Sequence, residues 1–167
     1  MMPKAEVTVT GLAEVHKKLS SIYNKIYWGS KAGMKDSLEY MQKEATQNLR
    51  DSSKGAGRFP NEAIENNWDI LDVVSKGGVL TQDLINTSPH AIFVEYGTAG
   101  KGEFSTTDMI RPTGDGPMIF HYYGRWIRKH EVQGQSPKAY LRNAAASSPP
   151  KILSSIAEEI STRLQGI

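Results

Sequence analysis

An apolar stripe at three- and four-residue spacing runs near the start of this chain and later gives way to two-residue alternation, and that change of period limits the folds open to it. Leu12, Val15, Leu19, Ile22 and Ile26 lie on one line, with Glu14, Lys17, Lys18 and Asn24 off it. That spacing matches the turn of an α-helix and predicts an amphipathic helix over 12–26. Trp28-Gly29-Ser30 interrupts the pattern, because glycine weakens a helix and Ser30 is a suitable N-cap. A second helix is expected over Lys31–Arg50, carrying Met34, Leu38, Met41, Ala45 and Leu49. Two amphipathic helices joined by so short a link pack on each other or flank a common sheet.

Before these helices, Glu6–Thr10 alternates and reads as a short strand or extended arm that Gly11 ends. After them, 51–60 is a loop by composition and carries Lys54 and Arg58. Trp68–Ser75 and Val79–Asn86 read as two strands joined by a glycine hairpin. Ser88-Pro89 closes the second strand, and His90–Tyr96 is a short helical turn stopped by Gly97. Gly97–Pro117, with Lys101 and Arg111, is the longest irregular stretch. Met118–Tyr123 and Trp126–Glu131 form a hairpin around Gly124. Lys138–Ala146 is a short helix, Pro149-Pro150 interrupt, and a final helix carries Leu153, Ile156, Ile160 and Leu164. Helices, then strands, then a helix indicate an α+β fold: an antiparallel β-sheet packed by N-terminal amphipathic helices and a C-terminal helix. The expectation is a single domain over 1–167 with flexible loops at about 51–60 and 97–117.

Composition narrows function mainly by exclusion. Twenty basic against 18 acidic residues leave a formal charge of +2. A field so weak gives no global reason to expect nucleic-acid or membrane-surface binding. No cysteine is present, which removes disulfides, thiolate nucleophiles and cysteine-ligated zinc. The N-terminus lacks the apolar core of a signal peptide, and no apolar run approaches the roughly 20 residues that span a bilayer. A cytoplasmic origin without export is the natural expectation.

Motifs for catalysis are poor. The histidines, at 16, 90, 121 and 130, make no His-Glu-x-x-His pattern. His121 and His130 could face each other across the second hairpin near Glu131, but strand histidines need no metal. Gly97-Thr-Ala-Gly-Lys-Gly102 lacks the Gly-Lys-Ser/Thr ending of a phosphate loop. Ser20, Ser21 and Ser88 have no marked base or orienting acid. No cofactor or metal is expected, and the chain reads as a non-enzyme. Tyr122, Tyr123, Arg125, Trp126, Arg128 and Lys129 form a basic-aromatic cluster that could stack bases and hold phosphates. It equally fits an amphipathic strand pair with one solvated face.

Two stretches carry a specific resemblance. They are Ser88-Pro-His-Ala-Ile-Phe-Val-Glu-Tyr-Gly-Thr98 and Gln135-Ser-Pro-Lys-Ala-Tyr-Leu-Arg-Asn-Ala144, the latter opening onto the C-terminal helix. In this order they resemble the tail-completion or head–tail joining (neck) family of long-tailed bacteriophages, with its Val/Leu-Glu-aromatic-Gly-Thr box and a later Pro-Phe-Leu-Arg-x-Ala box. The N-terminal Gly-Leu-x-Glu and the amphipathic helices also match, so the resemblance covers most of the chain. Lys138-Ala139-Tyr140 departs from the compact Pro-Phe, and Lys101–Pro117 is an insert.

The resemblance implies a virion structural protein that forms a six-fold homo-oligomeric ring. The ring would sit between the portal or adaptor ring and the tail terminator or tail tube, and DNA would pass through it without tight specific binding. It implies no membrane partner, and location in the neck after synthesis in the host cytoplasm. A tail terminator, a minor capsid component or a small nucleic-acid-binding protein are the alternatives. Glu95, Tyr96, Gly97, Thr98, Pro137, Tyr140, Leu141 and Arg142 become the box and interface candidates. The hairpin cluster at 122–129 becomes one subunit contact, and Lys54, Arg58, Lys101 and Arg111 mark the loops, which are expected to order on docking.

Read from the residues alone, Glu95 stands in an apolar segment and needs a partner, for which Arg142 is the candidate. Gly97 suits a left-handed corner, and Thr98 could bond the freed helix-end groups. The same residues also fit a fold-determining turn with no contact duty.

Overall fold

The computed structural model describes residues 10–52, 62–98, 102, 109–110, 116–122 and 125–165. All but the last residue of the expected 6–10 strand, and most of the two expected loops, lie outside them. The architecture is α+β. A single helix, α1 (Leu12–Ser52), spans 41 residues, about 60 Å at 1.5 Å per residue. Then come α2 (Glu62–Glu65), β1 (Trp68–Ile70), β2 (Val74–Lys76), β3 (Val79–Thr81) and β4 (Leu84–Asn86). The remainder is α3 (Ala91–Tyr96), β5 (Met109–Ile110), β6 (Met118–Tyr122), β7 (Arg125–Lys129), β8 (Val132–Gln133), α4 (Tyr140–Ser147) and α5 (Pro149–Leu164).

The expected break at Trp28-Gly29-Ser30 does not occur, and helices 12–26 and 31–50 are one. The reason is tertiary. Gly29, Gly33, Ser37, Ala45 and Leu49 are the buried positions of α1, four apart except across the partly buried Met41. α5 runs antiparallel along the small part of this ridge. A Cβ on Gly29 would sit 2.9 Å from the Ile160 Cα, and one on Gly33 2.5 Å from the Ile156 Cα. Ser37 turns its Oγ onto the Gly33 carbonyl, 2.5 Å away, and reaches the Ile152 carbonyl at 3.5 Å. A mid-helix glycine costs about 1 kcal/mol against alanine; here it admits the α5 backbone into direct contact, and packing along the ridge offsets that cost. Pro149 and Pro150 open α5 rather than merely ending α4, because the first turn needs no proline N–H.

The strands do not join into the one sheet expected. Among the described residues they form four two-stranded antiparallel ladders, β1–β4, β2–β3, β5–β8 and β6–β7. The first two are the anticipated glycine hairpin, turned by Gly77 and Gly78 at φ 59° and 81°. It is split in the middle because Ile70 pairs with Leu84 but Val74 with Thr81. Three residues on one side thus oppose two on the other, a bulge. The Leu71 N–H donates to the Asp83 carbonyl, and Gln82 Nε2 donates to the Leu71 carbonyl, bridging the gap. β5, which pairs with β8, lies inside the 97–117 stretch expected to be irregular throughout.

The core is small and sits at the C-terminal end of α1. Ala45, Leu49, Ile64, Val94, Tyr140 and Ala144 are buried together, flanked by Met41, Trp68 and Leu141. Trp68 meets the Tyr140 ring edge-on, with centroids 6.1 Å apart. α4 is tied to α1 by Asn48 Nδ2 donating to the Tyr140 carbonyl. Lys138 Nζ closes the last turn of α1 by donating to the Ser52 carbonyl, a favourable place for a cation. No described helix is long and apolar enough to cross a membrane.

Candidate functional site

The two boxes, far apart in sequence, meet in one polar lock. Glu95 stands near the end of α3 and is 5% exposed. Its carboxylate accepts from the Leu141 N–H (2.9 Å), the Arg142 N–H (3.1 Å) and Arg142 Nε (2.9 Å). The first two donors belong to the opening turn of α4, whose own N-cap position, Ala139, offers no side-chain bond. Glu95 therefore caps α4 from 46 residues away, and the negative charge faces the positive end of that helix. The partnership with Arg142 expected from sequence is present.

Arg142 also lies over the Tyr96 ring, 4.8 Å from its centroid, and donates from Nη2 to the Glu95 carbonyl. The terminal carbonyls of α3 are satisfied by the same segment, with the Lys138 N–H donating to Val94 and the Ala139 N–H to Glu95. Ala139 holds a left-handed conformation, φ 50° and ψ 33°, to turn the chain into α4. For alanine this costs about 1 kcal/mol, and nothing in the sequence flags the position.

Gly97 has φ 75° and ψ −176°, so the expected positive φ is present but not the left-handed helical corner. This extended mirror-image region is nearly closed to other residues. A Cβ here would lie 2.5 Å from the Gln135 carbonyl oxygen and 2.8 Å from the Pro137 nitrogen, so glycine is also required for contact. Thr98 does not bond the freed helix end. Its N–H donates to the Gln135 carbonyl and its Oγ1 accepts from the Gln135 N–H, at 2.8 and 2.9 Å. That pairing lays the segment after α3 beside Gln135–Pro137.

Tyr140 is the centre of the core beneath the lock and 1% exposed. Burial, and secondarily the nearby Glu95 charge, push its hydroxyl up to about 12. A phenol so placed stays protonated across any physiological pH. The lock holds a buried, paired carboxylate and an arginine on an aromatic face; it has the makings of a structural joint.

The basic-aromatic hairpin forms, but its register divides the cluster. Tyr122 pairs with Arg125, His121 with Trp126, Ile119 with Arg128 and Met118 with Lys129. Alternation then puts positions 126 and 128 on one face and 122, 125 and 129 on the other. Neither face gathers the whole cluster. Trp126 is 76% exposed beside exposed Ile119. His121 pairs with Trp126 and His130 follows the ladder, so the two histidines are not cross-strand partners, and no cluster of three metal-ligating residues occurs among the described residues. Tyr123, Lys54, Arg58, Lys101 and Arg111 lie outside the described residues. No family model, curated protein or solved structure matches the chain.

Proposed function

We propose that this protein is a non-enzymatic virion subunit of a long-tailed bacteriophage, forming a homo-oligomeric ring at the head–tail interface through which DNA passes. The observation that carries the reading is the union of the two boxes on which the resemblance rests. Residues 94–98 and 135–142 form a single hydrogen-bonded unit around Glu95. Coincidental matches to two short motifs have no reason to converge in space.

Surface supports the assembly part of the proposal. Leu12, Leu19, Tyr23, Ile92, Trp126 and Leu153 are each at least 60% exposed, and among the described residues the two-stranded ladders carry open edges that neighbouring chains can use. A closed ring needs two different contact faces on every subunit. Six-fold symmetry, with a portal or adaptor ring on one side and a tail terminator or tube on the other, follows from the resemblance. A cryo-electron-microscopy map of intact virions tests the reading: six copies between portal and tube are expected. Absence from particles, or distribution over the shell, overturns it.

A further inference from the structure

The antiparallel contact of α1 and α5 steps by four residues: Gly29 lies by Ile160, Gly33 by Ile156 and Ser37 by Ile152. One step further brings Lys25 level with Leu164, where α5 ends. Residues 12–24 of α1 therefore overhang by about 20 Å, and every residue from 10 to 21 is exposed. The apolar stripe does not stop with α5. Leu12, Val15 and Leu19 are 57–71% exposed along this arm. At 100° per residue, Lys18 and Lys25, with Glu14 3.6 Å from Lys18, line one border of the stripe.

A second uncovered face carries Asp69 and Asp83 at one end and Lys76 at the other. Along β3 and β4, Val79, Thr81, Asp83 and Ile85 are exposed and alternate with half-buried neighbours. Asp69, paired with Ile85, Val74, paired with Thr81, and Lys76, paired with Val79, join them. The bulge brings these partners to one side despite their odd and even numbers. From Val79 to Ile85 this face runs about 20 Å, the length of the arm.

We propose that the 12–24 arm of one copy docks on the β1–β4 hairpin face of a second copy, seating its apolar stripe on Val74, Val79 and Ile85 with Lys18 and Lys25 towards Asp69 and Asp83. The arm cannot reach its own hairpin. Trp68 of β1 packs on the core beside Leu49, some 45 Å along an unbroken helix from Lys18. The contact is therefore in trans and head-to-tail, the type that closes rings. It deepens the ring reading by naming two faces, and rests on that reading only for the number of copies.

Charge reversal in trans tests it. K18E/K25E and D69K/D83K are each expected to weaken self-association about 100-fold or more, read by analytical ultracentrifugation of the full chain. Mixing the two variants restores complementary contacts all round and recovers assembly. Because the chain has no cysteine, mixed V15C and V79C proteins give an independent readout, with a short bismaleimide expected to cross-link them as heterodimers. A wild type that stays monomeric at every attainable concentration overturns the proposal. So does assembly that responds to the lysine reversals but is not rescued by the aspartate ones. If the wild type assembles and neither reversal matters, the face assignment fails while the neck location, decided by the virion map, stands.

Discussion

Replacing Glu95 with alanine should damage this protein more than any other single change at the lock. The substitution strands the Leu141 and Arg142 N–H groups at the start of α4, both held by the carboxylate. An orphaned, poorly solvated donor costs about 1–3 kcal/mol. The ion pair adds little, because the Arg142 side chain is 41% exposed and a pair so open to water contributes about 1 kcal/mol or less. Together these give about 3–5 kcal/mol, or roughly 10–15 °C in Tm for a chain this size. Arg142→Ala keeps both main-chain bonds and should cost about 1 kcal/mol. Urea unfolding followed by far-ultraviolet circular dichroism, at unchanged m-value, measures both. Equal small losses below about 1 kcal/mol would refute the reasoning, since Glu95 would then be an ordinary ion-pair partner and not the cap of α4.

Three further outcomes are expected. Gly33→Ala should lower stability by about 1–3 kcal/mol despite alanine's better helix propensity, because its Cβ would meet the Ile156 backbone at 2.5 Å; a thermal melt checks the sign. Tyr140 titrates near 10 when unfolded and at about 12 when folded, so its contribution is intact below pH 10 and lost as pH rises towards 12. The loss is about 2–3 kcal/mol, and Tyr140→Phe should flatten that part of a stability–pH profile. Trp126→Ala, at a residue 76% exposed, should leave the monomer's melting temperature within about 1–2 °C while weakening self-association measured by sedimentation.

Local chemistry is enough for much of the fold and for the partnership within the site. The glycine pair at 77–78 requires a tight hairpin, and Ser88-Pro89 and Gly97 bound α3 wherever the rest of the chain goes. Glu95 in an apolar segment demands a partner, and charge alone points to Arg142. Gly29, Gly33 and Ser37 at four-residue spacing describe a small-residue ridge for a close helix crossing, yet local propensity makes Gly29 look like a break. Ala139 leaves no signal, because alanine ordinarily has no cause to adopt positive φ.

The α+β class, the place of most elements and the residues of the lock are written in the chain itself, since periodicity, turn glycines and uncompensated charge act over a few residues. That α1 is one helix is settled only on folding, because the α5 backbone fills the space that makes its glycines tolerable. So too is the capping of a helix in one box by a carboxylate in the other. Both depend on contacts between segments separated by dozens of residues, where the energy of pairing outweighs what either segment prefers in isolation.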